Sequence, residues 1–240
     1  MKRIGVHLLI FFLVVLFCKA GDHPILDFHG FSYEGDYCAF ELFGYEDGTG
    51  DPFSEIYIIN VDKNSYQTRP IVTFDYDYDK DEHFRLLSAR MDNLRKAAPF
   101  FTRYGIDTTE KGLLLFRYPD YYEDKTVMDR IDFFRSTFLL NNKRYTLTLT
   151  EIDTGEGAIY HYGNNKMFQL VLSDGERKII LQNDKKLPER RKEAKAYRLD
   201  CAYYYNGRIV VFIEYEIPGF EENSTPKMAV TGKINEPSRY

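Results

Sequence analysis

Asn206-Gly207 sits between two runs, Ala196 to Tyr205 and Arg208 to Ile217, that are dense in Tyr, Val, Ile and Phe. An Asn-Gly pair suits the two positive φ angles of a tight two-residue turn, whose twist matches that of paired strands. The pattern therefore predicts an antiparallel hairpin. Two further hairpins follow from the same logic. Ser173-Asp174-Gly175-Glu176 separates Phe168 to Leu172 from Arg177 to Leu181, and Asn141-Asn142-Lys143 joins Ile131 to Leu140 with Arg144 to Ile152. A chain that turns back on itself this often must build antiparallel sheets and cover their apolar faces with one another.

The first half agrees. Tyr37 to Phe43 and Glu55 to Val61 read as strands around an Asp-Gly loop, residues Thr68 to Tyr78 alternate in period 2, and KGLLLFRY from Lys111 reads as another strand. The chain holds 20 Tyr and 19 Phe but no Trp. Such rings favour half-buried pleated surfaces. One helix interrupts the strands. Phe84, Leu87, Met91, Leu94, Ala98 and Phe101 recur at three- and four-residue steps, which predicts an amphipathic helix at about 80–98 packed through that stripe. Asp79 and Glu82 resemble a capping box at its start, and Pro99 marks its expected end. The expected fold is mainly β (β-rich α+β): an antiparallel sandwich or open barrel built from successive hairpins, with this one helix.

Residues 1–20 have a different character. Lys2 and Arg3 precede an apolar run from Ile4 to Phe17, and Cys18-Lys19-Ala20 places small residues at −3 and −1 of a cut before Gly21. The run is shorter than the about 20 apolar residues that span a bilayer, and fits a secretory signal peptide. A lipoprotein cysteine at Cys18 is the alternative, although bulky Phe17 precedes it; an uncleaved anchor is another. No composition break divides residues 21–240, which read as a single β-rich exported domain. Loss of Lys2, Arg3 and Lys19 from 32 basic residues leaves 29 against 37 acidic ones, a net charge near −8. That balance argues against a nucleic-acid partner. No second stretch is apolar enough to span a membrane. Export would permit a disulfide between Cys38 and Cys201; two separate buried thiols are the alternative.

Catalytic, cofactor and metal motifs are not evident. Glu46-Asp47-Gly48-Thr49-Gly50-Asp51 with Glu55 offers oxygen ligands but lacks the spacing of an EF-hand, so turn chemistry is favoured over calcium. Asp75, Asp77 and Asp79 fit a solvated strand face. His23, His29, His83 and His161 have no paired metal spacing. Ser32 in GFSYEG misses the nucleophile elbow, because Gly35 comes one residue late. The sequence therefore points to no catalytic residue, no cofactor and no metal, and the Cys38–Cys201 pair is the one specific expectation.

Two blocks carry a family resemblance. Gly30-Phe31-Ser32, Gly35 with Tyr37 and Phe40, Glu41, the loop Gly44 to Gly50 and the strand Glu55 to Val61 form the first. Val210 to Glu222 and Lys227 to Gly232 form the second. Together they resemble the opening and close of a bacterial family of predicted secreted proteins, domain of unknown function 2259. The resemblance implies an exported bacterial protein and transfers no catalytic residue. The first block is also similar to one blade of TolB-type propellers, but the several copies that a propeller needs are not there. Function is expected to be that of a non-enzymatic binding or interaction module of the envelope, periplasmic or secreted, whose partner is an envelope protein or a glycan. Tyr203 to Tyr205 or Tyr118 to Tyr122 are the expected contact surfaces. A secreted carboxylate-dependent hydrolase and a purely structural envelope component are the alternatives.

Overall fold

The computed structural model describes residues 23–119, 132–157, 163–219 and 223–234. The leader, His161 and Tyr121-Tyr122 lie outside these residues. Strands β1 (Ile25–Phe31), β2 (Tyr37–Tyr45), β3 (Pro52–Asn60), β4 (Ser65–Tyr66) and β5 (Ile71–Phe74) form the first antiparallel sheet, in which β4 and β5 both pair with β3. Helix α1 (Glu82–Tyr104) follows, then β6 (Leu113–Arg117). Strands β7 (Arg135–Leu140), β8 (Lys143–Gly157), β9 (Asn164–Ser173) and β10 (Lys178–Asn183) make a meander, the second sheet. Strands β11 (Ala196–Tyr205), β12 (Arg208–Glu216) and β13 (Lys227–Lys233) join β6 in the third, in the order β13-β12-β11-β6. Among the described residues the fold is mainly β with one α-helix, and the sheets stay open rather than closing into a barrel.

The turns behave as their residues dictate. Asn141 and Asn142 take φ of 49° and 62°, and Asn206 and Gly207 take 46° and 77°, closing two-residue hairpins with Leu140 opposite Lys143 and Tyr205 opposite Arg208. Asp174 closes the third, its Oδ1 accepting from the N–H groups of Glu176 and Arg177.

Layering follows from the pattern of buried side chains. Strand β7 alternates exposed and buried, so the meander covers one face only. In β12, seven consecutive residues are buried. Ile209, Val211 and Ile213 pack against Leu147, Leu149, Phe168 and Leu170 of the meander, whereas Val210 and Phe212 pack against Phe28, Phe40 and Ile59 of the first sheet. The third sheet is thus the middle layer of three, and a strand covered on both faces reads as an unbroken apolar run. A bulge between Leu199 and Cys201 shifts the phase of β11, turning Cys201 and Tyr203 toward the first sheet.

Helix α1 lies on the outer face of the first sheet, and here the structure corrects two expectations. Its N-cap is Asp81, which accepts from the His83 N–H, and its end is Gly105 at φ 61°; Pro99 lies inside it. The carbonyl that loses its partner at Pro99 belongs to exposed Arg95, where water can serve it. The buried line is Arg85, Ala89, Asn93, Ala97 and Phe101, while Phe84, Leu87 and Met91 point outward. The helix docks on polar positions of the sheet and on Ala39, Ile56 and Ile58 between them, and two alanines bring it close.

The Gly30-Phe31-Ser32 block is likewise structural. Gly30 sits at a bulge with φ 138°, and a Cβ there would lie 2.4 Å from the Asp107 carbonyl oxygen. Phe31 exchanges backbone hydrogen bonds with Asp107 and Glu110 beside it. Ser32 Oγ donates to Asp36 and accepts from the Tyr37 N–H, closing a turn.

Candidate binding cleft

Side chains alternate along β3. Ile56 and Ile58 face the helix, whereas Phe53, Glu55, Tyr57 and Ile59 face the third sheet. Near Ile59 that inter-sheet space is filled by Phe40, Phe212 and Val210. Toward Phe53 it opens into a cleft of about 820 Å³. Its walls come from five places distant in sequence: Pro24 before β1, the faces of β2 and β3, the segment from Tyr66 to Phe74, the 3₁₀ turn Glu189–Arg191, and the adjoining ends of β12 and β13.

Five aromatic rings line it. Tyr66 stands against Tyr57 at 5.7 Å with an interplanar angle of 63°, and Phe74 tilts against Phe53 at 6.4 Å and stacks on Tyr76. Tyr66 keeps 45 % of its surface exposed, yet its hydroxyl accepts from the Ala229 N–H and burial pushes its pKa up to about 12. The ring faces open space while its tip is anchored in protein. Tyr215 completes the floor.

Charges on the walls are of both signs. Arg191 is held by Asp184 at 2.7 Å and stacks over Phe168, so it is structural. Glu189 pairs with Lys192. Glu55 accepts from the Tyr57 hydroxyl through Oε2 and has no further hydrogen bond among the described residues. Arg69 and Arg190 line the cleft with no hydrogen bond or ion pair to any described residue. Thr68 Oγ1 is shielded from water and likewise without a partner. A shielded hydroxyl with no partner carries a desolvation cost of about 1–3 kcal/mol.

A second cluster joins residues that the sequence left apart. Asp27, His29 and Glu41 bring their donor atoms within 4.8 Å of one another, a grouping able to hold a metal. The cation already seated there is Arg90. Its Nη2 lies 2.9 Å from both Asp27 Oδ2 and Glu41 Oε2, its Nε lies 3.0 Å from Glu41 Oε1, and its plane lies over Phe43. Glu41 is fully buried and also accepts from Ser54. The cluster is the polar clamp of helix α1, continued by Asn93 on Ser54 and Ile71 O, and by Arg85 on Asp51. His29 sits beside it, 3.5 Å from Glu41 Oε2, and burial lowers its pKa from the ordinary 6.5. Unfolding therefore takes up a proton below that value, and the stabilising contribution, complete above about pH 6.5, is lost as pH falls through it. The melting temperature should drop between about pH 7 and pH 5, with a smaller drop in His29→Gln.

The remaining sequence candidates fall elsewhere. Glu46 to Asp51 closes on itself, Gly50 N–H to Glu46 O and Asp51 N–H to Thr49 Oγ1, and the Asp51 carboxylate is held by Arg85 and Tyr78. The alternating strand ends at Phe74, and Lys80 pairs with Asp75 and Asp77. Tyr203 is not an open surface: it is buried and stacked on Phe28, and Tyr205 packs on Phe31. Cys38 and Cys201 are both buried in the same inter-sheet core, and burial pushes the Cys38 thiol far up. The aromatic and cationic residues of the cleft were not singled out from the sequence. The one signal for them was the mixed inner face of β3, where Glu55 interrupts aromatic positions.

A family model described as predicted secreted protein (DUF2259) matches residues 39–233, from within β2 to the end of β13. The chain belongs to the DUF2259 family. The matched span contains helix α1, all three sheets except β1, and every wall of the DUF2259 cleft other than Pro24. No curated protein and no solved structure matches this DUF2259 chain. No helix among its described residues is long and apolar enough to cross a membrane.

Proposed function

We propose that residues 21–240 act as one exported domain of the bacterial cell envelope, released by removal of residues 1–20, that binds a ligand in the aromatic cleft without transforming it. The observation that carries this reading is the cleft itself: five aromatic rings, with Tyr66 exposed and fixed at its edge, and two exposed guanidiniums without partners among the described residues line one open volume. Ligand sites typically combine apolar walls with a few convergent polar groups. Fractionation should recover the protein in the periplasm or medium with Gly21 at its N-terminus. Capture of a ligand from envelope extract should depend on Tyr66 and Arg190. Recovery in the cytoplasm with the leader intact, or capture indifferent to both residues, would overturn the reading, and the latter outcome would favour a purely structural component.

A hydrolase reading has one observation in its favour, the presence of Glu46 and Glu55 on the same cleft. Glycoside hydrolysis needs two carboxyls flanking the bond. Changing both to Gln would abolish turnover in a hydrolase and should only weaken capture in a binder, since each amide keeps an acceptor oxygen. Export also bears on Cys38 and Cys201. Both thiols should be silent toward a thiol reagent in the native protein and titrate at two per chain in denaturant without reductant; a count of zero would show the pair joined.

A further inference from the structure

Resting on that reading of the cleft, we propose that its occupant is a neutral oligosaccharide. The ring of Tyr66 presents a flat apolar face whose hydroxyl is tied down by the Ala229 N–H 3.4 Å away, and Phe74, backed by Tyr76, presents another. Pyranose rings offer matching C–H faces with hydroxyls around the edge. Hydroxyls both donate and accept, and the cleft groups without partners among the described residues are of both kinds: Arg69 and Arg190 donate and a Glu55 oxygen accepts.

Charge and edge geometry disfavour the other occupants. Arg191, Glu189 and Lys227 are paired within the protein, and beside Arg69 and Arg190 stand Glu46 and Glu55, so the remaining wall charges balance and do not select an anion. An acyl chain filling the cleft would strip water from Arg69 and Arg190 and give them no partner, which is costly. An extended peptide adding to β13 would need its outer edge, but the Ala229 and Thr231 N–H groups already donate to Tyr66 Oη and Asn64 Oδ1.

The test uses the mature protein with neutral tetrasaccharides (cello-, malto- and chito-oligomers), a tetrameric hexuronate, laurate and a Tyr-rich hexapeptide, followed by calorimetry and saturation-transfer NMR. A neutral tetrasaccharide should bind with transfer strongest at its ring C–H protons. Tyr66→Ala should weaken it about tenfold or more, and Tyr66→Phe far less. Arg190→Gln, a change at an exposed side chain, should weaken it too, with the melting temperature unchanged. Hexuronate, laurate or peptide binding in place of the neutral sugars, with the same dependence on Tyr66, would overturn the sugar and keep the cleft as the site. Silence toward every probe, together with Tyr66-independent capture from envelope extract, would overturn both.

Discussion

Phe212→Ala should lower the stability of this protein by about 3–5 kcal/mol, the range for emptying a buried aromatic site. Phe212 lies on the middle strand of the middle sheet and is wholly buried. Its ring meets Phe28 at 5.8 Å, Phe40 at 5.0 Å and Tyr203 at 6.2 Å, each edge to face. Those partners stand on β1, β2 and β11, whose ladders hold their positions, so the walls have little freedom to close on the void. Urea unfolding should show the loss as a lower midpoint at unchanged slope. Ile180→Ala, at a side chain 59 % exposed on β10, is the control and should fall within about 0.5 kcal/mol of the parent. Comparable losses at both positions would mean that the three-layer packing is wrong.

The second large effect concerns a charge. Arg90→Met should destabilise by about 3–5 kcal/mol, because the fully buried Glu41 carboxylate loses its bidentate partner and keeps only Ser54 and the neighbouring His29. Partial exposure of Arg90 lets water soften the loss, which places the value toward the lower end. Pairing the change with Glu41→Met should recover much of it, since an apolar pair of similar volume often matches a buried ion pair. The double-variant cycle reads the coupling directly. A single variant as stable as the parent would show that Arg85, Asn93 and the apolar contacts hold α1 without the Arg90 clamp.

These two sites differ in how far the sequence exposes them. The run IVVFI around Phe212, following Asn206-Gly207, announces a strand covered on both faces. Turn chemistry and side-chain alternation act over a few residues, so hairpins at Asn141, Asp174 and Asn206 are legible without a fold. The location of α1 is legible for the same reason, but its buried face is not. Periodicity selects Phe84, Leu87 and Met91, whereas docking selects Arg85, Ala89, Asn93 and Ala97. The sheet beneath presents Glu41, Asp51, Ser54 and Thr73, and hydrogen-bonded contact with those groups outweighs burying the larger side chains elsewhere. Strand β1 escaped notice because a bulge at Gly30 breaks its alternation.

Local chemistry in the chain determined the strands, the turns, the single helix and the mainly-β class, together with the family to which both ends of the domain point. Tertiary structure alone decided that the third sheet lies in the middle, that Arg90 reaches Asp27 and Glu41 across the helix–sheet boundary, and that Pro24, Tyr66, Arg190 and Lys227 share one cleft. The physical reason is separation. These groups meet only after three sheets have stacked, and which side chains then face the unfilled space depends on bulges, register and packing summed over the whole chain, not on any residue's near neighbours.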